Sequence, residues 1–80
     1  MQTVGEVRPL ATLWNLAWND DRLRCAIYRT EAGLQLRVES AGAVVISERF
    51  DLQPRALARA QALRDSLKRR GWHDVDGHTP

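Results

Sequence analysis

The sequence predicts an α+β domain: an antiparallel three- or four-stranded β-meander with one C-terminal α-helix packed on one face, in two layers. Three observations carry that expectation. From Leu13 to Phe50 apolar and polar side chains alternate with the period of a strand, interrupted by the turn clusters "NDD", "TEAG" and "SAG". From Ala56 the apolar positions instead recur at spacings of four, three and four, as Ala56, Ala60, Leu63 and Leu67, which is the stripe of an amphipathic helix. The 80 residues are 44% hydrophobic and 28% charged, ordinary values for one folded domain over residues 1–80 and too apolar for a disordered chain.

Residues 1–11 have no period and contain Gly5 and Pro9, so a flexible arm is expected there. The meander then occupies 12–50. In "LWNLAW" Trp14, Leu16 and Trp18 take one face and Leu13, Asn15 and Ala17 the other. A second strand from Arg22 to Arg29 sends Leu23, Cys25 and Ile27 inward, and a third from Leu34 to Glu39 sends Leu34, Leu36 and Val38 the same way. The fourth, Ala43 to Phe50, puts Val44, Ile46 and Phe50 on the core face. That leaves Glu48 facing inward, where a bulge or a position at the sheet edge would accommodate it.

The helix is expected over 51–71, with Asp51 as N-cap, Pro54 in the first turn, and Gly71 closing it after a basic last turn. Trp72 should fold back over that end. Leu57, Leu63, Leu67 and Trp72 complete the expected core, and 73–80 reads as a polar tail.

The succession "LRCAIYR", "GLQLRVE", "ISERF" and "ALARAQALRDSLKRRGW", with Trp14 ahead of it, resembles small uncharacterised bacterial proteins of about this size with a strand-strand-strand-helix pattern. The resemblance spans Trp14 to Trp72. It implies the same fold and brings no activity with it.

Charge and chemistry narrow the function. The net charge is +2, and the positive residues are eleven Arg and a single Lys, which favours planar, forked recognition of carboxylate or phosphate. No apolar run approaches the ~20 residues that span a bilayer, and the first residues lack the pattern of a signal peptide. A cytoplasmic protein without membrane contact is therefore expected. Cys25, the only cysteine, forms no internal disulfide and suits a reducing compartment as a buried thiol.

Three surfaces are candidates. Because one helix covers one side of the sheet, Arg22, Arg24, Tyr28, Gln35, Arg37 and Arg49 should share the open face, together with Glu39 and Ser47 and with apolar area from Leu13, Ala17, Ala26 and Val45. Arg55, Arg59, Arg69 and Arg70 should form a basic flank of the helix. His73, Asp74, Asp76 and His78 carry metal-ligand chemistry but no structural zinc spacing. Nothing in the sequence assembles a nucleophile beside a base or a phosphate-cradling glycine loop. The expectation is a non-enzymatic interaction module without cofactor or metal. It would self-associate as a homodimer or dock on a protein partner, through the open sheet face or an edge strand. The alternative is weak binding of nucleic acid by the Arg-rich sheet face and the helix flank.

Overall fold

Turn chemistry sets the meander. The structure, a computed structural model, describes residues 9–75, and its first three hairpins each turn through residues at positive φ. Asn19 (φ 58°) joins β1 (Ala11–Trp18) to β2 (Asp21–Thr30), and Gly33 (φ 126°) opens β3 (Gly33–Ser40). Ala41 (φ 53°) and Gly42 (φ 84°) connect β3 to β4 (Ala43–Phe50); two consecutive positive φ values give the hairpin twist that matches the strands. After α1 (Gln53–Arg69) the chain returns for a short β5 (His73–Asp74) beside β1. The antiparallel sheet has the order β4-β3-β2-β1-β5, with α1 across one face. Residues 73 and 74, expected in a polar tail, are thus part of the sheet, and Ala11, expected in the arm, already belongs to β1.

Two β-bulges decide which side chains reach the core. In β1 the register with β2 shifts between Thr12 and Trp14, so Leu13 is the extra residue. Leu13 therefore turns inward alongside Trp14 and packs against the core, instead of lying on the open face as strict alternation requires. In β4 the register with β3 shifts between Ile46, opposite Val38, and Val44, opposite Glu39. Val45 is the extra residue, and Val44 crosses to the outer side, where it is 48% exposed rather than in the core.

Glu48 does face inward, opposite Leu36 on the edge strand. The Arg59 guanidinium of α1 meets its carboxylate from Nε at 3.0 Å and from the Nη2 nitrogen at 3.1 Å. The sheet edge, with this ion pair, accommodates the charge, and the bulge sits at Val45.

The core forms where one face of the sheet meets the helix. Leu16, Cys25, Leu36 and Val38 are sealed beneath Ala60, while Ile27 and Leu34 lie beneath Ala56. Ala at these two helix positions lets the backbone approach closely enough for the Trp14 indole N–H to donate to the Ala60 carbonyl at 2.9 Å. Leu63 and Leu67 pack against the same core, as expected, whereas Leu57 is 41% exposed on the β1 side of the helix.

Both helix ends follow from local chemistry, one of them against expectation. Leu52, not Asp51, occupies the N-cap position, with no side-chain capping bond, and Pro54 stands in the first turn. At the other end Gly71 adopts φ 113°. The Trp72 N–H reaches the Leu67 carbonyl and the Gly71 N–H that of Lys68, the paired bonds of a Schellman ending. Trp72 then folds back, its ring centroid 5.8 Å from that of Trp18. Trp18, expected in the core, instead lines this corner and remains 46% exposed.

Candidate functional site: the open sheet face

Hydrogen-bond register arranges the face opposite the helix in transverse rows. Asn15, Arg24, Glu39 and Val44 form one row across β1 to β4. Thr12, Ala26, Arg37 and Ser47 form the next, and Tyr28, Gln35 and Arg49 the one beyond. Arg22, opposite Ala17, adds a fourth row toward the β1–β2 turn. All six expected residues of the open face, Arg22, Arg24, Tyr28, Gln35, Arg37 and Arg49, therefore do share it.

Side chains on these rows are bonded into a network. Arg24 donates from its Nη2 nitrogen to Glu39 Oε1 at 2.7 Å, and the Tyr28 hydroxyl donates to Glu39 Oε2 at 3.0 Å. The Arg37 guanidinium lies 4.3 Å above the Tyr28 ring and donates through Nε to Gln35 Oε1 at 2.9 Å. Gln35 in turn donates to the Ser47 hydroxyl at 2.7 Å. Under this layer Tyr28 is only 3% exposed and Ala26 1%. The Tyr28 ring is sealed, while Val44 and Val45 stand open at the β4 margin.

The electrostatics follow from the contacts. The Arg24 hydrogen bond, helped by Tyr28, holds the Glu39 carboxyl below the usual carboxylate range against the opposing effect of its burial. Burial raises the Tyr28 hydroxyl, and Glu39 beside it adds to the rise. A carboxylate with a depressed folded pKa stabilises the fold above its unfolded value, ~4.3 for Glu, and that stabilisation is lost as pH falls through the folded pKa. Glu39→Gln is accordingly expected to cost about 1–2 kcal/mol at neutral pH. It should also flatten the decline in urea midpoint expected of the unsubstituted protein below about pH 5; parallel declines in both proteins would remove Glu39 as the cause.

A cleft of about 460 Å³ opens at one end of the face, lined by Asn15, Arg22, Arg24, Glu39, Ala41, Gly42 and Val75 among others. Its floor is the Asn15–Arg24–Glu39 row. The β3–β4 turn bounds one side, and Val75, whose N–H donates to the Asn15 carbonyl at 3.0 Å, bounds the other.

The margins of the sheet are less inviting than its face. β4 carries its bulge and the inward-pointing Glu48, and β1 carries a bulge where β5 does not cover it. Bulges and inward charges are the devices that blunt an edge against pairing with another strand.

The basic helix flank is only partly available. Arg59 is engaged with Glu48. Arg55 lines a second depression with Arg49, Phe50 and Asp51, and Arg69 and Arg70 are exposed at the last turn. On the opposite flank, Arg64 and Lys68 both bind Asp74, at 2.8 and 2.7 Å, and Lys68 foremost holds that carboxyl below its ordinary range.

The expected cluster around the tail divides. Asp74 faces the helix, opposite Leu16, and His73 lies opposite Ala17 on the other side; Asp76 and His78 lie outside the described residues. Among the described residues no three His, Cys, Asp or Glu side chains come together as a metal site. Cys25 is fully buried, and desolvation pushes its thiol up to about 12.

Alternation in the sequence located the Arg rows and the outward Val45, but not Val44, whose outward placement depends on the bulge. Comparison with known protein families, with curated proteins and with solved structures found no match to this chain.

Proposed function

We propose that the protein is a small non-enzymatic interaction module whose open sheet face docks an acidic surface of a partner protein. One observation carries the reading: among the described residues, Arg22, Arg24, Arg37 and Arg49 share that face with a single carboxylate, Glu39, leaving three positive charges in excess beside the exposed Val44 and Val45. A face of that charge favours a partner of opposite sign and disfavours a second copy of itself, since like charges brought together across an interface are costly. It favours protein over nucleic acid because the Tyr28 ring is sealed under Arg37 and offers bases no platform, while the valine pair suits apolar side chains. A buried, inert thiol agrees with a non-catalytic role and with the reducing cytoplasm.

The test compares a short peptide alternating Glu and Val with a single-stranded oligonucleotide of equal charge, in the full chain and in Arg49→Glu. The peptide should bind more tightly than the oligonucleotide, lose affinity as salt rises, and weaken by about tenfold in Arg49→Glu, mainly through slower association. Tighter oligonucleotide binding would replace the reading with nucleic-acid recognition. A two-copy mass by light scattering that survives high salt would replace it with self-association.

A further inference from the structure

We propose that the cleft between the β3–β4 turn and Val75 is a binding site for an organic monocarboxylate with an apolar body. The proposal rests on the open face being an anion-seeking surface, and it names the group seated at one end. The cleft's volume, about 460 Å³, lies within the range of small-ligand pockets, ~300–1,000 Å³. Its polar groups converge. Arg22 and Arg24 stand two residues apart on one face of β2, roughly 7 Å along the strand, and Asn15 lies directly across from Arg24.

The donors are unequally occupied. Arg24 is bound to Glu39, which the Tyr28 hydroxyl fixes from its other oxygen. Among the described residues, the Arg22 guanidinium and the Asn15 side-chain amide have no hydrogen-bond partner, so both can donate to a ligand in the cleft. Gly42, whose absent Cβ would meet nothing within 4 Å, leaves the turn side open for entry.

Charge selects the ligand class. Among the described residues, two guanidiniums and one carboxylate give the lining a single positive charge, which one carboxylate neutralises. A phosphate dianion would bring a second negative charge against Glu39, whose own charge is held in place by Arg24. The planar fork of Arg22 matches a carboxylate in two-point contact, and Ala41 and Val75 offer apolar walls to the rest of the molecule. Both a free small acid and the C-terminal carboxylate of a peptide have this chemistry.

The experiment is a titration of the ¹⁵N-labelled full chain, followed by amide shifts, with four probes: N-acetylvaline, its amide, a peptide ending in valine with a free carboxylate, and inorganic phosphate. The acid should shift the amides of Asn15, Arg22, Arg24, Ala41 and Gly42 saturably, and the amide should not. Arg22→Ala should weaken the acid by about tenfold with thermal unfolding unchanged, since Arg22 is exposed. Glu39→Gln should reverse the preference toward phosphate. A free-acid peptide that binds more tightly than N-acetylvaline assigns the site to peptide termini, and the reverse order assigns it to small acids.

Saturable shifts absent with every acid, centred elsewhere, or unaltered by Arg22→Ala would overturn the site. If the alternating Glu/Val peptide still bound in an Arg49-dependent manner, the docking reading would survive that failure. If the acids bound the cleft and that peptide did not bind, the docking reading would fall and the cleft would stand as a small-acid site.

Discussion

Leu36→Ala is expected to destabilise the domain by about 3–5 kcal/mol, a large share of the ~4–12 kcal/mol that holds a chain of this length folded. Leu36 is fully buried, flanked on the sheet by Ile27 of β2 and Glu48 of β4, and lies in the cluster closed by Ala60 of the helix. The site has little freedom to collapse around a lost side chain, because β3 is held by hydrogen bonds on both sides. Urea unfolding should show a much lower midpoint with an unchanged slope, the sign of lost stability without a change in compactness. A shift under about 1 kcal/mol would mean that the inner and outer faces of β3 have been exchanged, since a slip of one residue turns every side chain over.

Trp14→Ala should cost a similar amount, about 3–5 kcal/mol, through two separable effects. The ring fills the space between the β1 bulge and the helix, and its N–H bonds the Ala60 carbonyl. Trp14→Phe keeps most of the volume and removes the hydrogen bond, so it should cost only about 1–1.5 kcal/mol before repacking. Trp18→Ala should cost clearly less than Trp14→Ala because Trp18 is 46% exposed and rests on Trp72 at the helix end. The ordering Trp14 above Trp18, measured by chemical unfolding of the two single variants, checks that the sealed core ends before Trp18, which shares the inner face with Trp14 but lies at the last position of β1.

That contrast marks what the sequence could and could not disclose. The meander, the single helix, its Gly71 ending and the folded-back Trp72 were all readable, because each depends on local signals: alternation, the apolar stripe, and a glycine able to adopt positive φ. Arg22, Arg24 and Arg37 were assigned to the open face on the same grounds, and so were Tyr28 and Gln35.

The misplacements arise where local periodicity was overruled by tertiary pairing. Leu13 and Val44 changed faces because each strand inserts one residue against its neighbour, and nothing in "ATLW" or "AVVI" announces which residue is extra. Leu57 was expected in the core because it is a leucine on an amphipathic helix. It sits outside because the small Ala56 and Ala60 define the contact line and Leu57 falls to one side of it. The charge pairs Arg59–Glu48 and Arg64–Asp74 likewise join positions whose closeness depends on the angle at which the helix crosses the sheet.

The site repeats this division. The sequence supplies the guanidiniums and their common face. Only the three-dimensional arrangement shows that Arg24 and Arg37 are partly committed to Glu39, Gln35 and Tyr28, and that the β4 bulge sets Val44 beside Val45 on that face. The proposal that this face meets carboxylates on a protein rests on that arrangement.

The measurement that tests this most directly is an amide-shift map of the ¹⁵N-labelled protein titrated with the alternating Glu/Val peptide at low salt. The account predicts saturable shifts at Arg37, Glu39, Val44, Val45, Ser47 and Arg49, with the exposed helix residues Arg69 and Arg70 unmoved. Shifts confined to the helix, or none at any concentration reached, would contradict it.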